Sequence, residues 1–369
     1  MNPVKPLRVG VIGCGNISPL YFDAGRRFEA IEVECCSDLL PDRASESAKQ
    51  HKLLRCASVE EMLSDPAIII VLNLTVPKAH YHVTRQVLEA GKTIYSEKPL
   101  ATNYEDGKRL MELARGKNLR VGCAPDTFLG ASGQTARKLI DDGAIGRPVA
   151  AVAFMLGQGP EEWHPTAEFY YQPGGGPMFD MGPYYLTALI NLLGPVQRVT
   201  GSVRANFDEK VGKRGTPDEK RIRVEVPTHV AGILDFANGA IATIITSFDV
   251  WGSQVPRIEV YGSEGSLSVP DPNCFGGPVM LNKSRSKDWQ PVPYTHGYDE
   301  QSRGIGVADM ASAMRTGRKH RANGDVALHV LEIMHAIHVA SETGKHVMLE
   351  TTCERPAPLP VGLADGQID

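Results

Sequence analysis

Short apolar runs alternate with longer amphipathic stretches through the first third of the chain. The apolar runs have the length and composition of buried strands: LRVGVI (7–12), IEVECCSD (31–38), AIIIVLNLTVP (67–77), TIYSEKP (93–99) and LRVGCAP (119–125). Helices are predicted between them, at DRASESAKQHK (42–52), SVEEMLSD (58–65), HYHVTRQVLEAGK (80–92) and NYEDGKRLMELARGKN (103–118). Repeated strand–helix units of this length predict a parallel sheet covered by helices on both faces.

The pattern changes after residue 128, where strands follow one another with less helix between them. The strand candidates are PVAAVAFMLGQ (148–158), VQRVTGSVRA (196–205), THVAGILDFANGAIATIITSFDV (228–250) and RIEVYGSEGSLSV (257–269). Asn238-Gly239 separates two apolar runs, which predicts a β-hairpin and therefore an antiparallel sheet. The charged, glycine-bearing segment 206–221 is predicted to be a loop.

The bulk composition narrows the classes of function. A chain of 369 residues is longer than one hydrophobic core usually serves, so two domains are expected. The net charge of −4 gives no basis for binding nucleic acid or an anionic membrane. The apolar run AIIIVL (67–72) is far too short to span a bilayer. The N-terminal residues lack the features of a secretion signal, so the expected location is the cytoplasm.

The histidines and cysteines do not suggest a metal site. The seven cysteines are scattered, and neither Cys-x-x-Cys nor His-x-x-x-His spacing occurs. Small core thiols in a reducing compartment are their expected role. His80 and His82 lie two apart in a predicted helix and therefore do not share a face. We predict no metal site.

A glycine turn joins the first predicted strand to the first helix. Its pattern, GCGNIS (13–18), is that of a dinucleotide-binding fingerprint with Ser18 at the third glycine position. Gly13 permits the tight turn, Gly15 lets the backbone approach a pyrophosphate, and the helix N-terminus offers free N–H groups to it. The pattern predicts a Rossmann-type, doubly wound parallel sheet. The alternative is an ordinary strand–helix turn.

Asp38 ends the second predicted strand, at about the distance where the fingerprint has its acidic residue. A carboxylate there accepts hydrogen bonds from the ribose hydroxyls and repels a 2′-phosphate, which favours NAD over NADP. Ser37 and Arg43 lie close enough to help hold a phosphate, so NADP stays open. Otherwise Asp38 is a cap or turn residue.

Glu97, Lys98 and Pro99 follow the strand TIYS (93–96), at the sheet edge where ligands bind in such folds. The Lys98 ammonium would favour an alkoxide developing near the reacting end of the cofactor. Glu97 could position that ammonium by a charged hydrogen bond. The alternative is a surface lysine paired with its neighbour.

The chain resembles the glucose–fructose oxidoreductase/inositol dehydrogenase (Gfo/Idh/MocA) family over essentially its whole length. The resemblance is carried by four ordered stretches: GVIGCGNIS (10–18), NLTVPKAHYHV (73–83), YSEKPLATN (95–103) and GGGPMFDMGPYYL (174–186). It implies a dinucleotide-binding domain over 1–128 and a substrate-binding α/β domain over 129–369. The second domain would have a large, mostly antiparallel open sheet and C-terminal helices returning toward the first. The family's broad sheet often pairs between subunits, which implies a homodimer or homotetramer.

The resemblance also implies a nicotinamide cofactor and gives roles to individual residues. The pyrophosphate would be held by Gly13, Gly15, Asn16 and Ile17, and the ribose by Asp38. The nicotinamide side would be flanked by Thr75, Val76 and His80, with Glu97 and Lys98 beside the nicotinamide itself. Family members oxidise or reduce sugars, inositols and related polyols.

The chain departs from the family at one catalytic position. The family pattern is Asp-x-x-x-His, and here Asp180 is followed four residues later by Tyr184, on the same face of a predicted helix. Tyr184 could act as a general acid–base if Lys98 lowers its pKa. Otherwise the base has been lost and Tyr184 is an ordinary helix residue. Asp180 would orient the substrate, or cap the helix.

Two further residues are candidates for contact with the substrate. Trp163 could stack on a sugar face, and His164 could bond hydroxyls or replace Tyr184 as the base. Each is equally well explained as a packing residue of a lid.

The sequence therefore predicts an NAD-dependent oxidoreductase acting on a secondary alcohol or ketone of a sugar, sugar derivative or cyclitol. Lys98, Asp180 and Tyr184 would be its catalytic residues. One alternative uses the same redox step transiently to cleave a glycosidic bond. Another, of a different class, is a non-catalytic dinucleotide-binding sensor or partner subunit.

Overall fold

The computed structural model describes residues 5–164, 166–283 and 288–369. Its first sheet has six parallel strands in the order β3-β2-β1-β4-β5-β6. These strands are β1 (Leu7–Ile12), β2 (Ile31–Ser37), β3 (Arg55–Cys56), β4 (Ile68–Asn73), β5 (Thr93–Ser96) and β6 (Val121–Cys123). The strand order reverses between β1 and β4, which places a ligand crevice beyond their carboxyl ends. The predicted doubly wound parallel sheet is confirmed.

Helices connect these strands, as the alternating pattern predicts. They are α1 (Ser18–Arg27), α2 (Pro41–Gln50), α3 (Val59–Ser64), α4 (Pro77–Glu89) and α5 (Tyr104–Gly116). The middle of β4 is a nearly continuous apolar run because helices cover the sheet on both faces: Ile68, Ile70, Val71 and Leu72 are all buried.

The second sheet has nine strands in the order β16-β15-β14-β13-β7-β12-β11-β8-β17. The strands after β6 are β7 (Pro148–Leu156), β8 (Val196–Arg204), β9 (Glu209–Gly212), β10 (Lys220–Arg223), β11 (His229–Phe236), β12 (Ile241–Ser247), β13 (Ile258–Gly262), β14 (Gly265–Val269), β15 (Val279–Lys283), β16 (Gln290–Val292) and β17 (Val347–Met348). Neighbours in the sheet are antiparallel except β7 and β12, which are parallel. The mostly antiparallel sheet and the Asn238-Gly239 hairpin are confirmed.

The prediction that 206–221 is a loop is wrong in part. β9 and β10 form a separate antiparallel hairpin that covers this segment. Ile222 on β10 is buried in a small cluster with Tyr171 and Phe248, and the Lys210 ammonium on β9 lies 2.8 Å from an Asp249 carboxylate oxygen. Contacts with distant residues hold the hairpin, and the local charged composition does not reveal them.

The remaining helices are α6 (Ala131–Asp141), α7 (Pro177–Asp180), α8 (Gly182–Leu193), α9 (Ile305–Thr316) and α10 (Gly324–Thr343). Ile305 and Met310 of α9 share a core with Val9 and Val11 of β1. α10 packs on the second sheet, where Ile337 meets β8 and β11, and also against α5. The C-terminal helices thus pack on both sheets. The domain boundary between residues 128 and 129 stays a prediction.

No helix in the described part of the chain combines the length and apolarity that a transmembrane span requires.

Candidate functional site

The glycine turn lies at the carboxyl end of β1. Gly13 has φ +102°, and a Cβ atom there would lie 2.8 Å from the carbonyl carbon and oxygen of Leu74. Gly15 is exposed, and a Cβ atom there would meet no atom of the described residues within 4 Å. The fold itself therefore requires glycine at 13, whereas the space outside Gly15 is open to a ligand.

The first turn of α1 is open on the same side. Ile17 at its N-cap makes no side-chain hydrogen bond, and Asn16 is exposed beside it. The Ser18 hydroxyl, at the third glycine position, donates to the Gly15 carbonyl at 2.8 Å. Ser18 thus closes the turn. The predicted free N–H groups are not found in the first turn of α1, because the Ser18 and Leu20 N–H groups donate to the Gly15 and Ile17 carbonyls at 3.1 and 3.2 Å and Pro19 has no N–H. The exposed backbone at Gly15 and Asn16 is the part of the turn open to a pyrophosphate.

Asp38 braces this turn from the end of β2. Its Oδ2 accepts the Cys14 N–H at 2.9 Å, and its Oδ1 accepts the Leu40 N–H at 2.9 Å. The nearest Arg43 nitrogen lies 3.7 Å from Oδ1. Asp38 is therefore a turn residue, and its role at the ribose stays a prediction.

The two glycines give a matched pair of variants. Gly13→Ala is expected to lower the free energy of unfolding by about 1–3 kcal/mol, because φ is positive and the methyl group meets Leu74. Gly15→Ala should keep the wild-type Tm but weaken NADH binding about tenfold or more, because its methyl group occupies the open side of the turn. Thermal unfolding and NADH titration by fluorescence measure both. Unchanged NADH binding in Gly15→Ala would contradict this placement of the cofactor.

The end of β5 brings Lys98 to the second part of the chain. The Lys98–Pro99 peptide bond is cis. The Lys98 ammonium donates to the Asp180 carbonyl at 2.7 Å and to Asp180 Oδ1 at 2.8 Å. Burial alone would lower the pKa of Lys98, but the Asp180 carboxylate and the Tyr184 phenol raise it overall, so the side chain stays charged.

The prediction that Glu97 holds this ammonium is wrong. Glu97 accepts a hydrogen bond from the Tyr21 hydroxyl at 2.7 Å and from the backbone N–H of Lys98 at 3.1 Å. The Lys98 side chain extends to Asp180 instead, so Glu97 acts on the ammonium only through its charge.

Asp180 and Tyr184 lie on two short helices and not on the single helix predicted. α7 ends at Asp180 and α8 begins at Gly182, and Pro183 in its first turn has no N–H to continue the ladder. Tyr184 still reaches the site: the Lys98 ammonium lies 5.1 Å from the centre of its ring. The structure thus brings Lys98, Asp180 and Tyr184 together.

The Tyr184 phenol is almost fully buried, with 7% of its surface exposed. Burial raises its pKa, the charges of Lys98 and Arg303 lower it, and Glu97 raises it, with a net rise above the ordinary tyrosine value. Lys98 therefore lowers the pKa of Tyr184, as predicted, but the effect of burial on that pKa is larger. At neutral pH the phenol holds its proton, which suits donation to a carbonyl oxygen.

Trp163 and His164 belong to a cluster of aromatic rings with Phe169 and Tyr170. The His164 ring packs edge-on against Trp163, Phe169 and Tyr170, and its Nδ1 accepts the Thr166 N–H at 3.2 Å. Trp163 is 70% exposed, which leaves a ring face open. Their roles at the substrate stay predictions.

Two independent family models match the chain in sequence order. Residues 7–124 match a model described as an oxidoreductase family with an NAD-binding Rossmann fold, and residues 134–268 match the GFO/IDH/MocA C-terminal domain. The chain belongs to the Gfo/Idh/MocA oxidoreductase family. The predictions of the family, of an oxidoreductase and of an NAD-type cofactor are confirmed.

Relatives within the Gfo/Idh/MocA family share about a quarter of their residues with this chain. A 1,5-anhydro-D-fructose reductase from Ensifer adhaerens is 26% identical over 93% of this chain and 99% of its own length. A myo-inositol 2-dehydrogenase from Thermotoga maritima is 24% identical over 71% of this chain and 74% of its own. A structure of levoglucosan dehydrogenase with NADH and levoglucosan has a TM-score of 0.81 at 22% identity, covering 94% of this chain and 100% of that one.

His80 holds two loops of the Gfo/Idh/MocA site together. Its ring is fully buried, with Nδ1 2.6 Å from the Pro99 carbonyl oxygen and Nε2 3.0 Å from the Thr75 carbonyl oxygen. Burial lowers its pKa. Without an exposed surface the ring cannot line the crevice, so His80 positions the loops. Val76 is exposed at the start of α4, where a cofactor could meet it.

Sequence reasoning missed two residues of this Gfo/Idh/MocA site. Arg303 Nη2 donates to the Tyr184 hydroxyl at 3.4 Å, although the residues are 119 apart in the chain. Tyr170 lies near Asp180: burial and that carboxylate raise the pKa of Tyr170 to about 12, against Lys98. No local pattern marks Arg303, and Tyr170 is one of several aromatic residues in its segment.

Within the described residues, no three His, Cys, Asp or Glu side chains are grouped as metal ligands would be.

Proposed function

We propose that this chain is an NAD-dependent dehydrogenase or reductase that transfers a hydride between the nicotinamide and a carbinol carbon of a sugar, sugar derivative or cyclitol. One observation carries the proposal: Lys98 from the end of a strand in the first sheet meets Asp180 and Tyr184 from the second part of the chain. The names of the relatives, which include anhydrosugar and inositol enzymes, support the substrate class.

The open glycine turn suits the cofactor, with Gly13, Gly15, Asn16 and Ile17 around the pyrophosphate. The oxidised nicotinamide, when bound, supplies the hydride acceptor. Asp38 would hold the ribose, and Thr75 and Val76 would lie on the nicotinamide side. These assignments are supported by position at the carboxyl ends of the strands.

Lys98 has one ammonium N–H left for the substrate. Two of its three donors go to Asp180, and the third has no acceptor among the described residues, so it can stabilise a developing alkoxide. Asp180 Oδ2 makes no hydrogen bond with the described residues, so it is available to a neighbouring substrate hydroxyl. Tyr184 exchanges the proton of the carbinol oxygen.

The test is turnover on a panel of inositols, anhydrosugars, aldoses and glycosides, with NAD and NADP in parallel, followed by nicotinamide absorbance. The proposal predicts NADH accumulation with at least one polyol and a preference for NAD. A preference for NADP would overturn the role of Asp38. Glycoside cleavage without NADH would favour the transient-oxidation alternative. NADH binding without turnover on any substrate would favour a non-catalytic sensor.

We also propose a homodimer or homotetramer formed through the outer face of the nine-stranded sheet. Ile233 and Ile241 are exposed there, and α10 covers the opposite face. Sedimentation should give a mass at least twice the 40.0 kDa of one chain. Ile233→Glu should shift it toward the monomer. A monomeric wild type would contradict the proposal.

A reducing compartment, the cytoplasm, is the location we propose. All seven cysteines are free, and five of them are buried as small core residues.

A further inference from the structure

Arg303 is a charged residue at the catalytic phenol. Its Nη2 donates to the Tyr184 hydroxyl at 3.4 Å and to Asn273 Oδ1 at 2.7 Å, and its Nη1 donates to Gln301 Oε1 at 3.2 Å. Across the described ranges no carboxylate lies within 4.0 Å of its guanidinium. Most partly buried arginines here have such a partner, as Arg137 and Arg321 do. The hydrogen-bond partners of Arg303 are instead the Tyr184 hydroxyl and the side-chain amides of Asn273 and Gln301.

The segment that carries Arg303 is fixed by the first domain. Gly304 has φ +96° and is the N-cap of α9, and the N–H groups of Gly304 and Gly306 donate to Asp126 Oδ2 at 2.9 and 3.0 Å. A Cβ atom at Gly304 would lie 2.3 Å from the Ala24 side chain. The backbone around Arg303 is therefore held closely, and its side chain extends from the interface between the two domains toward Tyr184.

The direction of the hydrogen bond matters because a guanidinium has donors only. The Tyr184 oxygen must accept from Arg303, so the phenol hydrogen points away from the guanidinium. It is then available to a substrate oxygen. When that hydrogen leaves, the same contact becomes a charge-assisted bond to a phenolate, which is shorter and stronger.

Four charged or titratable groups among the described residues act on Tyr184: Lys98, Glu97, Arg303 and Tyr170. Lys98 lies 5.1 Å from the ring but donates to Asp180, so its charge is largely matched by that carboxylate. Glu97 opposes the phenolate, and Tyr170 adds a further phenol. Arg303 alone both touches the phenol oxygen and has no ion-pair carboxylate of its own within the described residues.

We propose that Arg303 is a positioning residue for Tyr184, orienting its proton toward the substrate and stabilising the phenolate that accepts the carbinol proton. The inference rests on the proposed function. In oxidation the hydride passes from the carbinol carbon to the nicotinamide, and the hydroxyl proton passes to the phenolate, which then releases it to solvent. Reduction is the reverse, with the phenol protonating the alkoxide.

The test compares pH profiles of kcat/KM for oxidation in wild type, Arg303→Lys and Arg303→Met. Removing the Arg303 cation raises the pKa of the Tyr184 phenol. The rising limb of the pH profile of kcat/KM should therefore move to higher pH by about 1 unit in Arg303→Met. Activity at neutral pH should fall about tenfold, and Arg303→Lys should recover part of both effects. Arg257→Met is the matched control, since Arg257 pairs with Asp271 and should leave the limb in place.

A double-mutant cycle separates this role from direct substrate binding. In a Tyr184→Phe background, Arg303→Met should have little further effect, because its action passes through the missing hydroxyl. An equal fractional loss in both backgrounds, with an unmoved limb, would overturn the inference and leave the proposed function standing. If Arg303→Met unfolds, Asn273→Ala loosens the guanidinium without removing its charge, and an unmoved limb there would count against the proposal. Inactivity of wild type on every substrate would instead refute the function itself.

Discussion

Lys98→Met is expected to lower kcat for polyol oxidation by about 100-fold to 1,000-fold while the protein still binds NADH. The substitution removes the ammonium that faces the developing alkoxide, which acts more strongly in the transition state than in the ground state. Steady-state kinetics and NADH titration measure the two effects. Retention of wild-type kcat would leave Lys98 only a structural partner of Asp180 and contradict the account.

The same variant leaves Asp180 without its cation, so it needs a control for stability. Asp180 is only about a fifth exposed, and an unpaired carboxylate there is expected to lower the free energy of unfolding by up to about 3 kcal/mol. Lys98→Met with Asp180→Asn removes the stranded charge. This double variant should recover most of the stability while kcat stays low, which separates the lost chemistry from lost folding.

Tyr184→Phe is expected to lower kcat by about 100-fold to 10,000-fold, because the carbinol oxygen loses its proton carrier. The ring and its packing stay, and the lost hydroxyl has Arg303 at 3.4 Å as its one hydrogen-bond partner among the described residues, so Tm should change little. Kinetics in both directions and a thermal melt measure these outcomes.

Tyr185→Phe is the matched control for this variant. Tyr185 is fully buried on the same helix, and its hydroxyl has no hydrogen-bond partner within the part of the chain that the structure describes. The kcat of Tyr185→Phe should stay near the wild-type value. If Tyr184→Phe turns over like wild type and His164→Ala does not, His164 is the base.

The parts of the fold that depend on residues close together in the chain could be predicted from the sequence. The apolar run at 67–72 is a buried strand because helices cover both faces, and the Asn238-Gly239 turn forms because Gly239, with φ +87°, suits a hairpin. The hairpin of β9 and β10 could not be predicted, because Ile222 packs against residues far away in the chain.

The site follows the same division. The glycine turn, Lys98 and Asp180 are marked by local motifs, and the resemblance of those motifs to the Gfo/Idh/MocA family implied that they converge. Their pairing was not implied: Lys98 reaches Asp180 and not its neighbour Glu97, which turns to Tyr21. Arg303 has no motif at all, because its contact with Tyr184 arises from the packing of α9 against the first sheet.

A crystal structure of the ternary complex with NADH and a polyol that the enzyme oxidises tests the central claim most directly. The account predicts one substrate oxygen within about 2.6–3.2 Å of both the Lys98 ammonium and the Tyr184 hydroxyl, with its carbon facing the nicotinamide. A substrate oxygen bound instead by His164, or Lys98 and Tyr184 facing separate cavities, would contradict it.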